Sequence, residues 1–368
     1  MTQSVNLVWS HEWLTHAPEA YPESPERLHW AIAGTLSALD SGQPGGDCRL
    51  GPADAGAGPV VHEPDDPLSL DELALVHSRR YLRYLEDFTA AGGGMLTLDT
   101  EVSEKSMTVA RLAAAGADLG CRLAVAHGRP SLVLTRPPGH HAFAATGSGF
   151  CLINNAAVAA RLFQQRGGGR VAIVDWDVHH GNGTQDIFLA DPGVLYVSIH
   201  ESPHYPFSGW LADNGEGPGR GTTVNVPLPG GLGDAGAVAA FDRVVVPCVR
   251  EFAPELLIVS AGQDGHYTDP LSSWRLTARG YGQLAAMVRE TAAEVGAALC
   301  LVLEGGYTQS GIALSMAAVT AAWAGCRPPE AVLTDGNQLQ QPSSWQQQEL
   351  SRQLGEIVRF HASTWPLA

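Results

Sequence analysis

Five short apolar runs, rich in β-branched residues, recur through the middle and C-terminal parts of this 368-residue chain: Ser131 to Thr135, Val171 to Val174, Val194 to Ile199, Leu256 to Val259 and Cys300 to Leu303. Each leads into a polar or glycine-rich turn, and Ala-rich stretches such as Val109 to Ala126, Asn155 to Gln165 and Leu276 to Val295 lie between them. A strand that is apolar at every position leaves no face for water, so it belongs in a sheet covered on both sides. The pattern predicts an α/β fold, a parallel sheet between layers of helices. Pro25 to Leu39 reads as a further helix, and Leu68 to Val76 as a helical stretch. Between them, Ser41 to Pro67 reads as a surface excursion rich in glycine and proline. Nothing later marks a boundary, so residues 1–368 read as a single domain. The glycines at 167–169 make a helix-to-strand turn; a phosphate loop would also need Gly-Lys-Ser/Thr.

Apolar residues make up 45% of the chain and charged residues only 16%, against a usual charged share of about 25%. That balance excludes a disordered chain and requires a sizeable core. Net charge is 22 − 38 = −16, with Lys105 the one lysine. Such a surface repels nucleic acid and anionic lipid, which argues against partners of either kind. The six cysteines contain no CxxC pair, so reduced thiols are expected rather than a disulfide framework or a thiolate zinc finger. With no basic, apolar leader and no run of 18 apolar residues, the expectation is a cytoplasmic protein without membrane contact.

The turns that follow the five runs carry most of the chemistry. After the first comes Arg136-Pro-Pro-Gly-His140-His141; after the second, Asp175-Trp-Asp177-Val-His179-His180-Gly-Asn182; after the third, His200. The fourth leads into Ser260-Ala-Gly-Gln-Asp264 and the fifth into Glu304-Gly-Gly-Tyr307. Ligands of open α/β sheets bind beyond the carboxyl ends of the strands. Asp177 and His179, two residues apart, leave a strand end on the same side and make two legs of a metal site. Asp264 is the candidate third, giving a His-plus-two-carboxylate set suited to Zn²⁺ or Fe²⁺ with a position left open. Asp175 shares that face at greater depth and suits an imidazole's hydrogen-bond partner. His140 and His141, beside a metal, fit general acid–base work, and the Tyr307 hydroxyl fits an oxyanion donor. His180 points away from His179 as a satisfied core residue, and His200, Tyr205, Phe207 and Trp210 are candidates for a wall.

The segments RPPGHHA (136–142), GFCLINNAAVAA (149–160), VAIVDWDVHHGNGTQDIF (171–188), GQDGHYTDPL (262–271) and EGGY (304–307) resemble the zinc-dependent histone deacetylase superfamily. The likeness is nearest to its class II-like bacterial branch, the histone deacetylase-like amidohydrolases, and covers about residues 20 to 325. It implies the arginase–deacetylase fold, with a central eight-stranded parallel sheet, and hydrolysis of Nε-acyl-lysine or a similar acylated amine. It also implies one Zn²⁺ on Asp177, His179 and Asp264, with His141 as proton shuttle and His140 as electrostatic partner held by Asp175. Tyr307 matches the tyrosine that binds the substrate carbonyl, and Gly149 and Phe150 match tunnel residues, opposed by Tyr205 or Phe207. Asn182, where class I members have aspartate, points to class II. The likeness extends to potassium, with Asp175, Asp177, His179 and Ser198 around an inner ion and Phe188, Asp191 and Val194 around an outer one. Gln263 and Gly265 depart from the usual Phe and Ala beside the third ligand.

Acyl-lysine peptides or proteins are therefore the expected substrates, acetylated polyamines the alternative, and a homo-oligomer is left open. Leu271, at the position implied to stand at the tunnel mouth, offers a second ammonium only an apolar contact, whereas Glu201 near the rim could receive one. A two-manganese ureohydrolase shares the fold but needs a carboxylate where this chain has Gly181. A silent acyl-lysine binder would need a damaged catalytic set. No Gly-x-Ser-x-Gly elbow is present for a serine hydrolase.

Overall fold

Eight parallel strands form one sheet: β1 (Asn6–Val8), β2 (Val60–His62), β3 (Ser131–Val133), β4 (Val171–Asp175), β5 (Val194–Glu201), β6 (Thr223–Leu228), β7 (Leu256–Ala261) and β8 (Ala298–Leu303). The computed structural model describes residues 5–17, 21–41, 60–339 and 343–367. Most of the Ser41 to Pro67 excursion falls outside them, and its described end contains β2. The spatial order is β2-β1-β3-β8-β7-β4-β5-β6. The runs foreseen as strands are β3, β4, β5, β7 and β8. The other three lacked a clear signal: β1 and β2 have three residues each, and β6, at the sheet edge, is interrupted by Asn225 and Pro227. An edge strand tolerates a proline because one row of its backbone groups has no neighbour to bond.

Helices Ser106–His127, Asn155–Gln165, Ala278–Val295 and Gln309–Ala324 cover the faces of the sheet, whose strand residues are almost all buried. Their boundaries follow local capping. Asn154 accepts from the Ala157 N–H, and Thr277 accepts from the Gly280 N–H, so the helix foreseen from Leu276 begins at Ala278. Leu276 instead donates its N–H to the Gly265 carbonyl, beside the third ligand. The turn at 167–169 joins Gln165 to Val171 as expected.

The chain's path explains why chemistry collects in one place. From β4 it proceeds outward to β5 on one side, and from β7 to β8 on the other, although β4 and β7 are neighbours. Connections diverging from adjacent strands leave a crevice at their carboxyl ends. Asp177 and His179 follow β4, and Asp264 follows β7.

Candidate active site

The carboxyl ends of the four adjacent strands β3, β8, β7 and β4 deliver His140 and His141, Glu304 and Tyr307, Asp264, and Asp177 with His179. His179 Nδ1 lies 3.1 Å from Asp177 Oδ1 and 3.1 Å from Asp264 Oδ2. One ligand atom from each of the three residues falls within 4.8 Å of the others. Bonds of 2.0–2.1 Å to a tetrahedral ion imply ligand–ligand edges of about 3.3 Å, so the donor set fits Zn²⁺ in size and in chemistry. Backbone groups hold the carboxylates in place: Gly305 N–H donates to Asp177 Oδ2 and Val178 N–H to Asp264 Oδ1. Gly305 has to be glycine, because a Cβ there would stand 2.1 Å from Asp264 Oδ2.

The surrounding charge calls for a cation. Asp175, Asp177, Asp264 and Glu304 are all fully buried within this region. Burial disfavours a charged His179, yet Asp177 and Asp264 outweigh it and push the imidazole up to about 10. Buried carboxylates that drive a neighbouring base so far signal a shortage of positive charge, which a dication would meet.

The histidine pair is split into two electrostatic states. His140 Nδ1–H donates to Asp175 Oδ2 at 3.0 Å, and although burial opposes it, Asp177 and Asp175 raise its pKa well above the usual value. His141 Nδ1 faces Asn182 Oδ1 at 2.8 Å. Burial, followed by the charges of His140 and His179, holds it well below the usual value. Nδ1 of a neutral His141 therefore carries the proton and Nε2 keeps a lone pair, the form of a general base. Glu304, to which the sequence pattern assigns no role, accepts from the Gly139 and His140 N–H groups and from Ser260 Oγ, fixing the turn that carries both imidazoles.

Tyr307 is half-buried, its ring edge-on to Phe150 at 5.7 Å and beneath the Arg27 guanidinium at 5.0 Å. Burial, with Asp264 and Asp177 nearby, keeps the phenol protonated far above its ordinary range. Its N–H donates to Asp269 Oδ2. Arg27 bonds the Gly306 and Glu304 carbonyls and, like Arg136, pairs with buried Glu23 beneath this loop. None of these anchors was foreseen from the sequence, since all but the Glu23–Arg27 pair join segments far apart in the chain.

Of the two aromatics proposed to face Phe150, Tyr205 is the one at the site, edge-on to His141 at 5.3 Å and to His179 at 6.0 Å. Phe207 is 69% exposed and Trp210 53%, so both are displaced from the wall assigned to them. His200 is fully buried and bonded to Ser198 Oγ and the Gly209 carbonyl, which removes it from the wall as well. His204, not foreseen, stacks on His179 at 5.1 Å and donates to the Leu271 carbonyl. Glu201 is not a rim acceptor: it is buried and receives the Ser273 N–H and hydroxyl. His180 is satisfied by Ser208 and Gln185. Gln263 and Gly265 are both buried beside Asp264.

The positions assigned to potassium lie along β4, β5 and the connection between them, which contains the helix Asn182–Phe188. Asp175 and Ser198 are in register on neighbouring strands. In the outer group, Asp191 pairs its carboxylate with Arg161, which stacks over the Phe188 ring at 4.6 Å, so its side chain is already committed. Elsewhere, a cavity of about 1070 Å³ opens at the amino ends of the strands, next to Pro130, Gly168 and Ala297. Its Arg122 and Arg166 are paired with Asp118, and it is remote from the strand ends that carry the histidines. The five cysteines described are free thiols, and no described helix is long and apolar enough to cross a membrane.

The histone deacetylase domain family matches residues 22–323 of the chain. A probable deacetylase of Archaeoglobus fulgidus is 38% identical over 375 residues, covering 98% of each chain. A histone deacetylase-like amidohydrolase of Pseudomonas aeruginosa is 39% identical over 76% of this chain and 74% of its own. The crystal structure of the HDA15 HD domain superposes with a TM-score of 0.82 at 31% identity, covering 100% of this chain and 96% of that one.

Proposed function

This chain belongs to the histone deacetylase family, and on that premise we propose that it hydrolyses Nε-acyl-lysine amides with one Zn²⁺ held by Asp177, His179 and Asp264. Membership makes it a hydrolase of the deacetylase and amidohydrolase type. The observation that carries the metal is the triangle of donor atoms within 4.8 Å, set among buried carboxylates short of positive charge. A divalent ion bound there supplies Lewis acidity, polarising the amide carbonyl and acidifying water.

The chain's own residues supply the rest of the chemistry. Neutral His141 accepts a proton from the attacking water at Nε2 while Asn182 orients the ring through Nδ1. Once protonated, the same ring can return that proton to the departing amine. His140 remains charged against Asp175 and steadies the negative charge that develops nearby. The Tyr307 hydroxyl, protonated throughout, donates to the oxyanion. Gly181 argues against the ureohydrolase reading: a Cβ there would lie 2.3 Å from Asp175 Oδ2, so the extra carboxylate has no room.

Access supports a slender substrate. His141 and His179 keep only 4% and 7% of their surface, so the reacting amide has to arrive on a narrow stem between Phe150 and Tyr205. Leu271 presents no charge, and Glu201 is engaged by Ser273, so neither offers a counter-ion for a distal ammonium. This favours acyl-lysine over acetylated polyamines, and the −16 net charge suits basic peptides. We extend the reading to K⁺ at the backbone oxygens of the β4–β5 region and, on the free thiols, to a cytoplasmic protein. Metal analysis should find one ion per chain, and chelation should abolish cleavage of an acetyl-lysine peptide. Two tightly bound ions per chain, or full activity after stripping, would overturn the metal assignment. A higher kcat/KM for acetylputrescine than for acetyl-lysine peptides would overturn the substrate.

A further inference from the structure

The two aromatic walls come from distant parts of the chain, and one carboxylate bonds both Tyr205 and the turn that carries Phe150. Asp99 sits in the turn of a short antiparallel ribbon, Gly94–Met95 with Glu101–Val102. Its Oδ1 accepts from Thr97 Oγ1 at 2.7 Å, from Thr100 Oγ1 at 2.9 Å and from the Gly149 N–H at 3.2 Å. Its Oδ2 accepts from the Tyr205 hydroxyl at 3.0 Å. Thr100 Oγ1 accepts in turn from the Phe150 N–H at 3.1 Å.

Phe150 needs such anchoring. Its φ is +67°, a region an L-residue with a bulky side chain rarely enters. A conformation of that kind persists only where surrounding contacts over-determine it. Here the contacts are Asp99 and Thr100 on the two N–H groups of the turn. On the opposite side, the Tyr205 ring could swing away from His141 and His179 if nothing held its outer end. The hydroxyl bond to Asp99 holds it.

We propose that Asp99 is a positioning residue that sets the width of the stem passage, because it ties the Tyr205 ring and the Gly149–Phe150 turn to a single carboxylate. The inference deepens the acyl-lysine reading and rests on it for the identity of the stem. A passage so held admits an unbranched methylene chain and resists a branched one. Loss of the tie loosens the ring contacts of Tyr205 with His141 and His179 but removes no hydrogen bond of His141, Tyr307 or the three metal ligands. The charge state of the pair is the one the tie needs: burial alone would raise Asp99, but its four hydrogen bonds lower it, while burial and Asp99 raise Tyr205.

The test uses zinc-loaded, full-length wild type, Tyr205→Phe, Asp99→Asn and the double variant. Two hydroxamate probes, one on a linear alkyl chain and one carrying a geminal dimethyl branch, report the passage by their dissociation constants. Wild type should prefer the linear probe. Each single variant should cut that preference about tenfold, as expected for one hydrogen bond to a charged group, and the double variant no further than either. With acetyl-lysine peptide the loss should fall on KM more than on kcat. An unchanged probe preference in Tyr205→Phe, which keeps the ring and should fold normally, overturns the proposal, as do additive losses in the double variant. A wild type that discriminates between the probes but cleaves no acyl-lysine peptide would overturn the substrate reading and leave the tie standing.

Discussion

Replacing Asn182 by aspartate should move the acid limb of the kcat/KM pH profile upward by about 1–2 units. The amide oxygen lies 2.8 Å from His141 Nδ1, and with the imidazolium charge spread over its ring the effective separation is about 4 Å. At an effective dielectric of about 20, a new carboxylate there would stabilise protonated His141 by about 4 kcal/mol, or about three pKa units. Asn182 is only half-buried, so solvent screening reduces the gain to the smaller figure. The fold should accept the change, because residue 182 opens the helix Asn182–Phe188 and a negative charge is favourable at a helix N-terminus. Activity needs His141 neutral. The wild-type limb should lie below the ordinary histidine range, since burial and then the charge of His140 lower that pKa. The assay is kcat/KM for an acetyl-lysine peptide from pH 5 to 9 at constant ionic strength, with metal content measured at each end. A limb that stays in place, or moves down, in a folded and metal-loaded variant would show that His141 is not the base.

Tyr307→Phe should keep fold and metal while acetyl-lysine turnover drops by about 10²–10³, the usual loss for one oxyanion donor; unchanged turnover would reduce Tyr307 to a packing residue. Gly305→Ala should weaken metal binding by about 10–100-fold although no ligand is removed, because the new Cβ meets Asp264 Oδ2 at 2.1 Å and Asp177 Oδ2 at 2.6 Å. Chelator competition measures this, and wild-type affinity would refute it. Acid should destabilise the fold. His77 and His200 are buried and pushed down to about 4, so the unfolded chain takes up their protons from about pH 6.5 while the folded chain waits until about pH 4. Their contribution is complete above pH 6.5 and is lost as pH falls to 4, by about 3 kcal/mol each. Urea unfolding at several pH values should show this loss, with a shallower slope in His77→Gln; parallel slopes would contradict it.

Legibility from the sequence followed the range of the interaction involved. Four of the five strands could be read because a run of four or more consecutive apolar residues belongs inside a covered sheet; β3, only three residues long, was legible from the run Ser131 to Thr135 that contains it and the Arg-Pro-Pro-Gly turn that follows. β1, β2 and β6 are too short or too mixed to carry that signal. The metal triangle could be proposed because Asp177 and His179 share a strand end and Asp264 ends another strand. Glu304, Arg27, Glu23 and Asp99 act through bonds to backbone or side chains dozens to hundreds of residues away. No local periodicity encodes such pairs. Tyr205 and Phe207, two residues apart, looked equivalent until the backbone turned one ring to His141 and the other to solvent.

The amino-acid order by itself determined which strands are buried on both faces, which turns carry ligands and imidazoles, and the family to which those segments are similar. Each depends on hydrophobic burial or on side-chain chemistry carried within a few consecutive residues. Tertiary structure alone decided that β4 and β7 lie side by side, bringing His179 Nδ1 to 3.1 Å from each of two carboxylates. It also decided that Glu201 is spent on Ser273 rather than offered at the rim, and that one histidine is charged and the next neutral. These outcomes depend on distance, desolvation and the competition among donors for each acceptor, which exist only once remote segments have packed together.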